Sequence, residues 1–128
     1  MKLLFDTHTL FWWLKNDGSL SAAAKAAIGT DDAIVHVSAV TALEIASEVR
    51  IGKWPEAADI AHTLEAVILR EGFIDLPVMI AHATSAGFIE SPHRDPFDRL
   101  LAAQSIAEDM IIVTKDAALT SLGARSLW

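Results

Sequence analysis

The sequence predicts an α/β fold built on a parallel sheet, and two observations carry that expectation. Short apolar runs alternate with longer stretches of helical pattern along the whole chain. Acidic residues fall just past two of these runs and near the starts of two following helices. That is where an open parallel sheet gathers ligands, outside the carboxyl ends of its strands.

The elements follow in order. Strand one is expected over Lys2–Phe5 and ends at Asp6. A helix follows over about Thr7–Leu14, stopped by the turn signal Asn16-Asp17-Gly18. Ser21 is placed to cap an Ala-rich helix through Ile28, with Gly29 past its end. Strand two is about Ala33–Val37. Ser38 is the expected N-cap of a helix through Val49, and Gly52 terminates it. Trp54-Pro55 anchors the start of the next helix, about Glu56–Arg70, with Gly72 behind it. Strand three is Phe73–Leu76, followed by Pro77 and a helix to about Ala86. Residues Ser91–Pro96 form a loop. Asp95 then caps a helix with Pro96 at its first position, running to Glu108. Strand four is Met110–Val113, Ala117–Leu122 is a short turn or helix, and Ala124–Leu127 supplies a fifth strand. No linker or repeat interrupts residues 1–128, which read as one domain large enough to bury a core.

Composition narrows the function classes. The chain is 52% hydrophobic with a mean hydropathy of +0.36. This surplus predicts an apolar interface with a second copy or a partner. No apolar run approaches the ~18 residues of a membrane span. The segment Met1–Phe5 is cut short by Asp6 and does not read as a signal peptide. With zero cysteines there is neither a disulfide framework nor a thiolate metal site, and a cytoplasmic location is expected. The five histidines show no zinc-type spacing. A net charge of −7 argues against broad attraction to nucleic acid, although a bound cation and local basic residues can offset a cluster of acids.

Asp6, Glu44, Asp98 and Asp116 are the candidate catalytic and metal-binding residues. Glu44 lies six residues past Ser38, about 9 Å along a helix axis. Helical side chains lean toward the N-terminus, so Glu44 can reach back toward Asp6. Asp98 sits in a first helical turn, where the dipole favours a carboxylate. Asp116 follows strand four. Converging carboxylates repel one another unless a cation lies between them, and hard ions such as Mg²⁺ or Mn²⁺ take oxygen ligands. The pattern points to a metal-dependent phosphodiesterase or phosphotransfer enzyme. Thr7 and Thr114 are candidate hydroxyls for orienting the carboxylates. Each acid also has a structural use: Asp6 as a cap, Asp98 as a dipole partner, Glu44 on a solvated face beside Glu48, and Asp116 in an Asx-turn. Asp95 reads mainly as a cap.

The segments Leu3-Leu4-Phe5-Asp6-Thr7-His8, Ser38–Ile45, His93–Gln104 and Ile112–Asp116 together resemble the PIN-domain ribonucleases, and more closely the VapC-type toxins of bacterial toxin–antitoxin pairs. The stretch HRDPFDRLLAAQ carries most of the specificity. The resemblance implies a three-layer α/β/α sandwich with a central, mostly parallel sheet of about five strands. It also implies Mg²⁺- or Mn²⁺-dependent endoribonuclease activity, with Asp6, Glu44, Asp98 and Asp116 at the positions of the family's acids. Its expected partners are an RNA substrate, an antitoxin and a second copy of the chain. His93, Arg94, Arg99 and Lys115 are candidate RNA contacts, with Arg99 alternatively paired to an acid. Trp12 and Trp13 cannot both face the core of one helix, so one of them is expected at an interface. The expected antitoxin groove is lined by helix one and the helices within Ser38–Leu69.

Two other classes stay open on the residues alone. A phosphoacceptor receiver would use Asp75 and Lys115, but adjacent acids after strand one are missing. A dehalogenase-like phosphatase would need an acid where His8 stands. A non-catalytic partner-binding module is the remaining alternative.

Overall fold

The computed structural model describes residues 1–128. Its strands are β1 (Lys2–Phe5), β2 (Ile34–Ser38), β3 (Ile74–Leu76), β4 (Ile111–Val113) and β5 (Ser126–Leu127). They form one sheet in the order β3-β2-β1-β4-β5, with every neighbouring pair parallel. Seven helices connect them: α1 (Thr7–Leu14), α2 (Ala22–Ile28), α3 (Ala39–Arg50), α4 (Ala58–Glu71), α5 (Ile80–Phe88), α6 (Pro96–Ala107) and α7 (Ala117–Ser121). No helix is long and apolar enough to cross a membrane.

Side chains alternate across the central strand and so divide the core in two. Leu3 and Phe5 join Val35, Val37 and Val113 on one face, beneath α1, α2, α3 and α4. Leu4 joins Ile112 on the other, packed on Leu101 and Ala102 of α6 and Leu119 of α7. Burying the sheet on both faces explains why β1 and β4 read as unbroken apolar runs. The result is a three-layer sandwich, as expected.

Boundaries moved in instructive places. The helix expected over Glu56–Arg70 begins as a 3-10 turn, Pro55–Ala57, and α4 carries a break at Thr63 (φ −128°). There the Thr63 hydroxyl donates to the Asp59 carbonyl at 2.7 Å, and this local bond competes with the helix ladder. Phe73 leaves the strand and packs edge-on against Phe5, with ring centroids 5.3 Å apart. The helix expected to follow Pro77 is delayed to Ile80, where the His82 ring accepts the Met79 N–H at the helix start. Gly52 and Gly72 do end their helices, at φ +79° and +71°, a region that glycine enters without strain.

Trp12 and Trp13 do not split between core and surface. Both are half-buried and both pack on the first core. The fully exposed apolar side chains lie elsewhere, chiefly Ile80 and Phe88 at the two ends of α5 and Leu69 on α4.

Candidate active site

The parallel register brings the ends of β1 and β4 level, with Phe5 opposite Val113. Asp6 is the next residue on one strand and Thr114 on the other. The Asp6 N–H donates to the Val113 carbonyl at 3.3 Å, prolonging the ladder by one bond. Asp6 also caps α1, its Oδ1 accepting the Thr9 N–H at 2.7 Å. The Thr114 hydroxyl donates to Asp6 Oδ2 and accepts the Asp116 N–H at 2.9 Å. Asp116 caps α7 through the Ala118 N–H. One hydroxyl thus ties together the two acids at the strand ends. Buried Thr9 locks the same corner, its hydroxyl donating to the Val113 carbonyl at 2.7 Å.

Glu44 and Asp98 enter from helices. Ser38 caps α3 and donates its own proton to Gln104 on α6, which fixes the two helices side by side. Glu44 reaches back along α3, and the Thr7 hydroxyl donates to its Oε1. Asp98 lies in the first turn of α6, behind the cap formed by Asp95 on the Phe97 N–H. Its Oδ2 pairs with His93 Nε2 at 2.8 Å. His93, Asp95 and Asp98 hold potential ligand atoms within 4.8 Å of one another. Asp95 therefore caps its helix and also joins the acid cluster.

Electrostatics link the helix acids to the others. Burial pushes the Glu44 carboxyl up from its ordinary value, and the charges of Asp95 and Asp98 push the same way against the Thr7 bond and His8. Burial also raises Asp98, helped by Asp95 and Asp116 and opposed by His93. Desolvated carboxylates that destabilise one another are the condition that a cation relieves. The donor set is carboxylate oxygen, which suits a hard divalent ion. Asp6, Glu44, Asp98 and Asp116 would hold it, with Thr7, Thr114 and His93 orienting them.

The candidate RNA contacts fare differently. Lys115 is exposed and shares a cavity of about 320 Å³ with Asp6, Asp116, His8 and Trp12. Arg94 is exposed beside the His93 loop. Arg99 corrects the expectation of a phosphate or acid partner. Its guanidinium donates to the carbonyls of Ala86, Gly87, Ile89, Ser91 and His93, at 3.0 Å to Ala86 and 2.7 Å to His93. A planar fork of five donors suits this clamp, and no donor is left for a phosphate. The clamp holds the loop that presents His93 to Asp98.

His8 is the residue that sequence reasoning undervalued. It is exposed two positions after Asp6, and its ring stacks on Trp54 with centroids 4.7 Å apart. The spacing to Trp12 on one helix face was a readable signal; the approach of Trp54 was not. The receiver arrangement is disfavoured by strand order. Asp75 is on edge strand β3 and Lys115 follows β4, three strand spacings away, or about 14 Å.

The chain is similar to Ribonuclease VapC22 of Mycobacterium tuberculosis, 29% identical over 119 residues that span 93% of this chain and 90% of that one. Its fold is similar to a chain in VapBC2 from Rickettsia felis bound to a promoter DNA fragment, with a TM-score of 0.71 at 13% identity over 99% of this chain and 98% of that chain. It is also similar to a chain in FitAcB from Neisseria gonorrhoeae, with a TM-score of 0.68 at 22% identity over 98% and 96%. The PIN domain model matches residues 3–124, and the chain belongs to the PIN-domain family.

Proposed function

We propose that this protein is a Mg²⁺- or Mn²⁺-dependent endoribonuclease, the cytoplasmic toxin of a toxin–antitoxin pair. The observation that carries the reading is the linking of the acids through two threonines: Thr7, beside Asp6, donates to Glu44, and Thr114, two residues before Asp116, donates to Asp6. Burial and neighbouring carboxylates raise the carboxyls of Glu44 and Asp98. The similarity to Ribonuclease VapC22 over most of both chains supports RNA as the substrate. The fold likeness to VapBC and FitAB chains supports an antitoxin as the partner.

A divalent ion held by Asp6, Glu44, Asp98 and Asp116 would supply an acidified water and neutralise charge on the phosphodiester. The chain's own part is placement. Thr114 fixes the Asp6 carboxylate and Thr7 fixes Glu44. His93 holds one oxygen of Asp98 and leaves the other unbonded to it. An acidic side chain of the cluster would take a proton from the attacking water. In-line attack would leave a 5′-phosphate and a 3′-hydroxyl. Lys115, which lines the same cavity as Asp6 and Asp116, would meet a substrate phosphate.

The apolar ends of α5 support a homodimer, because Ile80 is 87% and Phe88 is 81% exposed. Purified protein incubated with RNA tests the main reading. Cleavage is expected with Mg²⁺ or Mn²⁺ and none with a chelator. Cleavage that persists undiminished in Asp6→Asn would reject the assignment.

A further inference from the structure

We propose that Trp54, His8 and Trp12 form a stacking ridge that holds unstacked bases of single-stranded RNA beside the acids, with Lys53 and Lys115 meeting the flanking phosphates. This rests on the nuclease reading and adds to it the subsite that grips the strand.

His8 sits at the crest of the ridge. It stacks on Trp54 with an interplanar angle of 22° and leans on Trp12 at a centroid distance of 5.7 Å. Both tryptophans are braced from behind, Trp54 by Phe11 at 4.9 Å and Trp12 by Trp128 at 5.6 Å. An exposed ring already held in place loses little freedom when a base meets it.

His8 also separates two cavities. One, of about 190 Å³, is lined by His8, Glu44, Glu48, Lys53 and Trp54. The other, of about 320 Å³, is lined by His8, Asp6, Trp12, Lys115 and Asp116. Each holds one tryptophan, one exposed lysine and at least one of the four acids. The same three kinds of group therefore recur in both cavities that His8 lines.

Charge makes stacking the natural grip. At −7 the chain has no broad basic surface to hold phosphates. Every base presents a π-face, so aromatic side chains bind single strands where electrostatics cannot. Paired RNA keeps its bases stacked on one another, so the ridge selects loops and unpaired segments.

The test is binding, read separately from cleavage. An unstructured oligoribonucleotide is titrated into the full chain in Ca²⁺ buffer while tryptophan fluorescence is followed. Quenching is expected, with affinity falling about tenfold in His8→Ala and returning in His8→Phe, which restores a flat ring. The same oligonucleotide with abasic positions should bind wild type and His8→Ala alike. The slope of log affinity against log salt should be shallow, about −1.4 for two lysine–phosphate contacts. Equal affinity of His8→Ala and wild type, or no difference between the intact and abasic strands, would overturn the ridge. Binding with these signatures but no cleavage in Mn²⁺ would leave the ridge standing and remove the nuclease reading.

Discussion

The strand-end side and the helix side of the acid site are held in different ways. Asp6, Asp95 and Asp116 each stand before a helix and accept a backbone N–H as its cap. Their charge is supported by the fold itself. Glu44 and Asp98 stand inside helices with no such donor. They rely on one side chain each, Thr7 and His93, and both carboxyls are raised mainly by burial. One side is therefore pre-organised at little strain, while the other carries the electrostatic tension that a cation relieves. Repulsion is concentrated where it can do chemistry, and the caps keep the rest of the site in register.

The largest effect should come from the capping side. Asp6→Asn keeps the cap but removes a ligand charge, so RNA cleavage should fall by about a thousandfold, equivalent to several kcal/mol of transition-state stabilisation. Its melting temperature should stay near that of wild type, whereas Asp6→Ala should also lose about 1 kcal/mol of helix capping. Cleavage assays with thermal melts of both variants separate the two jobs of Asp6. If Asn and Ala melt alike, the cap contributes nothing.

Groups that orient the acids come next. Thr114→Val removes the hydroxyl shared by Asp6 and Asp116, and Arg99→Lys cannot satisfy five carbonyls from one ammonium. Each should reduce metal affinity or activity by about 10–100-fold. Mn²⁺ titration by calorimetry should show the affinity loss in both. An unchanged Arg99→Lys protein would mean that the His93 loop holds itself.

The helix side predicts a gain. Glu44→Gln can still accept the Thr7 proton while losing the charge. Without metal it should melt higher than wild type at neutral pH. The sign follows from the raised carboxyl. Between the unfolded value, about pH 4, and the higher folded one, the native state holds more protons than the unfolded chain, so stability falls as pH rises through that window. The advantage of Glu44→Gln should be full above the folded value and vanish below about pH 4. Melts from pH 3 to 8 in chelator read this directly, and a constant difference would refute it. Saturating Mn²⁺ should reverse the order, because wild type alone gains the full binding energy, about 2.7 kcal/mol at a hundred times the dissociation constant.

The smallest effect on the site concerns α5. Ile80→Ser combined with Phe88→Ser should shift light scattering from dimer to monomer with little change in melting, since both side chains are exposed. A monomeric wild type would reject the dimer.

Much of this was legible in the sequence because it is local. Strand one and helix α1 were placed to the residue, since an apolar run, a capping acid and a turn signal lie within 18 positions. Asp6, Asp98 and Asp116 were readable as candidates from their places at strand ends or a helix start, whereas Glu44, in the middle of α3, was reached through helix geometry. What sequence could not show were contacts made across loops. Arg99 reads as a free cation until the chain folds five carbonyls around it. His93 reads as a loop residue until its ring meets Asp98. The tryptophans of α1 misled for a related reason: adjacent helical positions normally diverge, but Trp128 arrives from a distant segment to pack on Trp12, and Trp13 packs on the first core as well.

The bond from Thr114 to Asp6 spans 108 positions. Strand β1 is the first made, yet it is central, and it gains its second neighbour only when β4 arrives. A chain still being synthesised therefore carries Asp6 without Thr114 until the 108 positions between them have been made. Emerging at about 5–20 residues per second, it would remain without a complete acid set for several seconds. The topology acts as a timer, withholding Thr114 and Asp116 from Asp6 until β4 has been made.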